Sequence, residues 1–130
     1  MFMIRFLLPL IFVFTIVQFS AAEEAKEKPK QFIYVLRLVP RLYSDSAWTK
    51  EDEAALKQHF DRFKRAAETG QLILAGRTQE PGAKTFGIAV FEASDEAAAR
   101  KFMESDPAVV EGLMTAELHS FAVALQRKNP

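Results

Sequence analysis

Residues 71–91 read QLILAGRTQEPGAKTFGIAVF. The run Gln71–Gly76 reads as a short strand, and Lys84–Phe91 reads as a second one. Between them, RTQEPGA carries a Pro81-Gly82 turn. Two strands joined by so short a return form an antiparallel hairpin. This hairpin fixes the middle of the chain, and what flanks it decides the rest.

Upstream, Thr49–Thr69 reads as an amphipathic helix. Thr49 is its N-cap, with Asp52 at N3 in a loose relative of the capping box. Glu51, Asp52 and Glu53 fill the first turn, where the helix dipole favours anions. Gly70 takes the left-handed position that ends it. The expected apolar stripe is Leu56, Phe60, Phe63 and Ala67. Before this helix, FIYVLRLV (Phe32–Val39) reads as a largely buried strand. The loop PRLYSDSAWT follows it, with Leu42, Tyr43 and Trp48. Downstream, SDEAAARKFMES reads as a second helix, N-capped by Ser94 and packing Ala98, Ala99, Phe102 and Met103. Ser105–Pro107 opens a short helical turn closed by Gly112. Met114–Leu125 is the expected last strand, ahead of a frayed tail at 127–130.

The order is β-α-β-β-α-β. It specifies an α+β, ferredoxin-like domain over 32–126: a four-stranded antiparallel sheet with both helices on one face. The strands, however, are apolar on both parities. Ile88 and Val90 alternate with Ala89 and Phe91, and Phe121, Val123 and Leu125 alternate with Ala122 and Ala124. A sheet that is apolar on its open face needs a second cover, and a further copy of the same chain supplies one by a two-fold operation. A homodimer is therefore expected, with a small-molecule ligand in a cleft beside it.

The first 22 residues, MFMIRFLLPLIFVFTIVQFSAA, have the layout of a secretory signal peptide. One cation, Arg5, precedes an apolar run. Ser20 and Ala22 then occupy the −3 and −1 positions of a cut after Ala22. The run is shorter than the roughly 20 residues of a spanning helix, so no stable membrane insertion is expected after cleavage. The expected destination is periplasmic or secreted. Residues 23–31, EEAKEKPKQ, read as a charged linker. Lysine plus arginine number 17, equal to aspartate plus glutamate, which argues against a broad basic surface for nucleic acid. The absence of cysteine excludes thiol catalysis, thiolate metal sites and a lipid-anchored N-terminus.

Among residues able to do chemistry, His59 lies about 70° from the centre of the expected stripe, at its margin. There it can pack as a rim residue or serve as a general acid–base. Asp106 precedes Pro107 and reads as an N-cap. Arg77, after the second strand, can hold a carboxylate as a bidentate fork or stay solvated. Tyr43 and Trp48 can form an aromatic lid or simply cover the edge of the core. His119 shares parity with Glu117 and Phe121, placing it at a surface or an interface, where it can also meet a ligand. Histidine and carboxylate are acceptable metal ligands, but no close ligand spacing is present and no metal is assigned. There is no phosphate-binding glycine loop or nucleotide fingerprint, and no cofactor is assigned.

The segments HFDRFKRAAETGQLILAGRT, PGAKTFGIAVFEASDEAAARKFMESDPAV and ELHSFAVAL together resemble the YCII-related domain family, within the dimeric α+β barrel superfamily. The likeness spans about residues 32–126 and lies in the order and spacing of these pieces. It implies a ferredoxin-like protomer that dimerises by sheet packing, with a His–Asp pair as its working site. That pair maps onto His59 and Asp106. The fold it implies is that of muconolactone-isomerase-like enzymes, and one lineage of the family is associated with dehalogenation of chlorinated hydroxyquinols. The leader departs from the largely cytosolic members, which puts a cytosolic catabolic substrate in doubt. Two functions follow as expectations. One is cofactor-free proton transfer on a small organic acid, such as isomerisation, lactone opening or elimination. The other is a non-catalytic ligand-binding or dimeric interaction module.

Overall fold

The computed structural model describes residues 27–128, so the expected signal peptide (1–22), the start of the expected linker (23–26) and the end of the expected tail (129–130) lie outside the described residues. Strands β1 (Lys30–Leu38), β2 (Leu72–Arg77), β3 (Gly87–Ala93) and β4 (Met114–Ser120) alternate with helices α1 (Lys50–Glu68), α2 (Glu96–Glu104) and the single turn α3 (Pro107–Val110). The sheet order is β2-β3-β1-β4, antiparallel throughout. This is the ferredoxin-like α+β topology that the hairpin and its flanks imply.

Alternation along β1 sets the two faces of the sheet. Phe32, Tyr34 and Leu36 are buried and pair across to Phe91, Ala89 and Gly87 of β3. With Phe63 and Ala66 of α1 and Ala99 and Met103 of α2, they form the main core. Its centre is aromatic: Tyr34 meets Phe91 edge-on at 5.5 Å, and Phe91 lies 4.7 Å from Phe102. A smaller cluster of Leu42, Ala55, Ala108 and Leu113 joins the loop after β1 to α1 and α3.

Several boundaries differ from expectation for physical reasons. Lys30 and Gln31 belong to β1 rather than to the linker, because Ala93 and Glu92 of β3 extend far enough to pair with them. β4 stops at Ser120, not Leu125. Its last pair is Phe32 with Ser120, and β1 has little length left beyond that point. Phe121 and Val123 instead donate their amides to the Gln31 carbonyl and side chain. β3 begins at Gly87, because residues 82–84 form a 3-10 turn with Gly82 at φ +59°. The N-cap of α2 is Asp95, whose carboxylate accepts from the Ala98 amide at 2.7 Å, rather than Ser94. At α1, Thr49 and Asp52 close a full reciprocal capping box.

The largest correction concerns the inward face of α1. Phe60 is 53% exposed, and Ala67 is exposed too, whereas His59 is only 4% exposed. The buried row is Asp52, Ala55, His59, Phe63 and Ala66; Phe63 is shared with the expected stripe, and the other three expected members each stand one position past a buried residue. His59 is thus in the middle of the packed face and not on its rim.

Candidate functional site

A polar group inside a core must find partners. His59 finds one 47 residues along the chain: its Nδ1 lies 2.7 Å from Asp106 Oδ1. Asp106 is fully buried at the N-cap of α3. Its Oδ1 also accepts the Ala108 amide at 2.9 Å, so one oxygen both caps the turn and holds the histidine. The other oxygen, Oδ2, accepts the Tyr34 hydroxyl at 2.7 Å.

Two further residues complete the cage. Tyr34 is fully buried on β1, and Arg62 stands one turn after His59 on α1. Arg62 lays its guanidinium over the Phe102 ring at 4.0 Å and bonds the Phe102 carbonyl and Ser105 Oγ. Its Nη1 is buried without a hydrogen bond among the described residues, 3.8 Å from Asp106 Oδ2. Sequence reasoning missed both residues. The available signals were the hydroxyl of Tyr34 inside a buried alternating row, since a buried tyrosine hydroxyl seeks a partner, and the i,i+3 spacing of His59 and Arg62.

The electrostatics follow from this cage. Burial opposes a charge on Asp106. The hydrogen bond and positive charge that His59 can bring, the Tyr34 hydroxyl and the Ala108 amide together outweigh it, and hold the carboxyl below the ordinary aspartate range. Burial, reinforced by the neighbouring carboxylate, pushes the Tyr34 hydroxyl far above the usual tyrosine value. Asp106 is therefore an acceptor and Tyr34 a donor. An ionised Asp106 fixes the neutral tautomer of His59 with its proton on Nδ1. Nε2 carries the lone pair, and no described residue bonds it.

His59 lines a cavity of about 790 Å³ between α1, the sheet and two loops. Leu36, Leu42, Phe63, Leu72 and Met114 give it an apolar interior, and Asp45, Lys64, Arg77 and Glu80 supply charges. Tyr43 and Trp48 line it from the loop after β1. Trp48 also packs on the smaller core cluster and donates its indole N–H to the Leu42 carbonyl, so it serves both as wall and as core edge. Arg41 fixes that loop through a bidentate ion pair to Asp52 at 2.7 and 2.8 Å. Arg77 enters the cavity from the end of β2, on the helix-covered face, and makes no ion pair among the described residues. The cavity thus gathers His59, Tyr43, Trp48 and Arg77 within a single chain, with Asp106 behind the histidine. His119 stands apart from it. It pairs with Ile33 on the open face, 3.4 Å from Glu117, so the sheet separates it from His59 and the two cannot share a ligand within one chain.

No curated protein matches the chain. Among solved structures, it is similar to two of SnoaB, a cofactor-independent oxygenase from Streptomyces nogalater, one of them a mutant. The identities are 15% and 18% and the TM-scores 0.41 and 0.39, with 78% of this chain and 98% of the other covered in each case. The YCII-related domain model matches residues 22–119, which take in all the described strands and helices except Ser120 at the end of β4, and the His59–Asp106 pair with them, and the chain belongs to that family.

Proposed function

We propose that the chain is an exported enzyme that moves a proton on a small organic acid, with His59 as general base and then general acid. The observation that supports this reading best is the orientation of the histidine. Asp106 occupies Nδ1, while Nε2 is left unbonded on a residue that lines the cavity. A ligand C–H or O–H placed against Nε2 gives up its proton, and Asp106 stabilises the imidazolium that forms. Returning the proton to another carbon as the double bond shifts completes an isomerisation; when the proton comes from the carbon next to the ring C–O carbon, its electron pair forms a C=C bond as that C–O bond breaks, and the lactone opens to a carboxylate. Neither step requires a cofactor. Arg77 anchors the carboxylate of the acid, and Tyr43 and Trp48 wall its apolar body.

A thermal-shift screen of small carboxylic acids, lactones and matched neutral amides tests this. Acids that bind raise the Tm of the native protein. Arg77→Ala weakens their binding about tenfold or more and leaves the amides unchanged, as loss of a charge-assisted pair requires. A His59→Ala variant that turns over a bound acid at the native rate removes His59 from the site. A pure binding module keeps the shifts and shows no turnover of any hit.

The reading includes a homodimer through the open face. Ile33, Val35 and Ile88 are only partly covered there, and Leu74 and Phe121 are 53% and 41% exposed. Sedimentation at micromolar concentration is expected to give the mass of two copies, and Ile88→Glu that of one. A native protein that sediments as a single copy rules the dimer out.

A further inference from the structure

A base that forms an imidazolium must also release the proton. An uncompensated buried carboxylate at Nδ1 would hold the imidazolium tightly and slow the second half of the reaction. Asp106 is not left uncompensated. Oδ2 accepts from Tyr34 at 2.7 Å, and the buried Nη1 of Arg62 sits 3.8 Å from the same oxygen. Neither group touches the cavity. Both act on the oxygen opposite the one that binds His59 and spread the carboxylate charge away from it.

We infer that Tyr34 and Arg62 are positioning residues that set, through Asp106, how strongly His59 holds a proton. The inference rests on His59 being the working base, but it is read on the histidine itself and needs no substrate. The fold supplies each group from a different direction. Tyr34 comes from the middle of β1, Arg62 from α1 one turn past His59, and α2 contributes the Phe102 ring and carbonyl with the adjoining Ser105, which pin the guanidinium. On its other side His59 faces the cavity, whose charged groups are Lys64 of α1, Arg77 of β2, and Asp45 and Glu80 in the loops, all exposed to water. Solvent screens those four, whereas the three groups behind the ring are screened little.

Removing the Tyr34 hydroxyl returns negative charge to Asp106 and strengthens its attraction for the imidazolium. Removing the Arg62 cation does the same. His59 should then hold its proton to higher pH in both variants. The chain has two histidines, so a His119→Gln background leaves one ring to observe by nitrogen-detected NMR titration. Tyr34→Phe is expected to move the His59 midpoint up by at least about half a pH unit, the equivalent of one modest hydrogen bond. Arg62→Gln, which keeps an amide able to donate to the Phe102 carbonyl, is expected to move it the same way. With His119 restored, its own midpoint stays put in both variants, because it lies across the sheet. A His59 midpoint unchanged in a folded variant overturns the assignment for that residue. Should Tyr34→Phe fail to fold, Arg62→Gln decides alone. Failure to find any turned-over acid would overturn the proposed function and leave the titration result standing, so the two failures are distinguishable.

Discussion

Asp106→Ala is expected to lower the unfolding free energy by about 3–5 kcal/mol, the cost of deleting one partner from a buried charged network. Three groups lose their acceptor at once, the His59 ring, the Tyr34 hydroxyl and the Ala108 amide, and the Arg62 cation loses the anion 3.8 Å from it. The Tyr34 hydroxyl and the Ala108 amide cannot turn to water without opening the core, because the site of the deleted carboxylate is fully buried. Such a loss is a large share of the roughly 5–15 kcal/mol that holds a typical domain folded. Urea denaturation measures it. A loss below about 1 kcal/mol would mean that the network adds nothing beyond an ordinary cap. Asp106→Asn costs less, since the amide oxygen can still cap Ala108. The two variants also differ from the native protein in acid. The carboxyl is held below the ordinary aspartate value, so the unfolded chain takes up the proton first. The stability it contributes is present above about pH 3.9 and is lost as pH falls through the lower folded value. In Asp106→Asn that part of the acid limb disappears. The part due to Asp52, which the Arg41 fork also holds low, remains.

The same network shows what a single sequence can and cannot disclose. The β-α-β-β-α-β order is legible, because turn residues and local periodicity mark each element and need no knowledge of distant partners. The phase of α1 is not. Reading Phe60 as core and His59 as rim follows hydrophobicity, yet the chain buries Asp52 and His59 and exposes Phe60. The two polar residues go inside because Arg41 and Asp106 satisfy them, from 11 and 47 residues away. No window of helical periodicity contains that information. The pairing of His59 with Asp106 follows from a family resemblance and not from spacing. Tyr34 was hidden for a related reason: in a strand of alternating aromatic and aliphatic residues, its ring accounts for its position and its hydroxyl goes unexamined. The end of β4 depends on where β1 runs out, which is again a property of the partner. What the sequence conceals is the set of long-range hydrogen bonds, and in this chain the candidate site is made of them.

His59→Ala is expected to lower kcat about 10²- to 10⁴-fold on any acid that the native protein turns over, the usual contribution of a general base. On the proposed reading Arg77 and the aromatic walls hold the ligand independently of the ring, so KM should change far less than kcat. Asp106→Asn separates two effects that are fused in most histidine–aspartate pairs. In many such pairs an asparagine can turn its NH₂ toward the histidine and force the wrong tautomer. Here the oxygen that binds His59 also accepts the Ala108 amide, which is a fixed donor. In the Asp106→Asn variant the cap therefore keeps the side-chain amide oxygen facing both groups. The NH₂ then falls on the side of the Tyr34 hydroxyl, which can rotate to accept from it. Nδ1 keeps its proton and Nε2 keeps its lone pair. What is lost is the negative charge that stabilises the imidazolium. Asp106→Asn should therefore cost only about 10- to 100-fold in kcat, roughly 1.4–2.8 kcal/mol of transition-state stabilisation, and less than His59→Ala. Its pH–rate profile should shift downward, because a histidine without a carboxylate behind it gives up its proton at lower pH. If Asp106→Asn instead abolishes turnover as completely as His59→Ala, the amide has turned, and the capping oxygen does not control the tautomer.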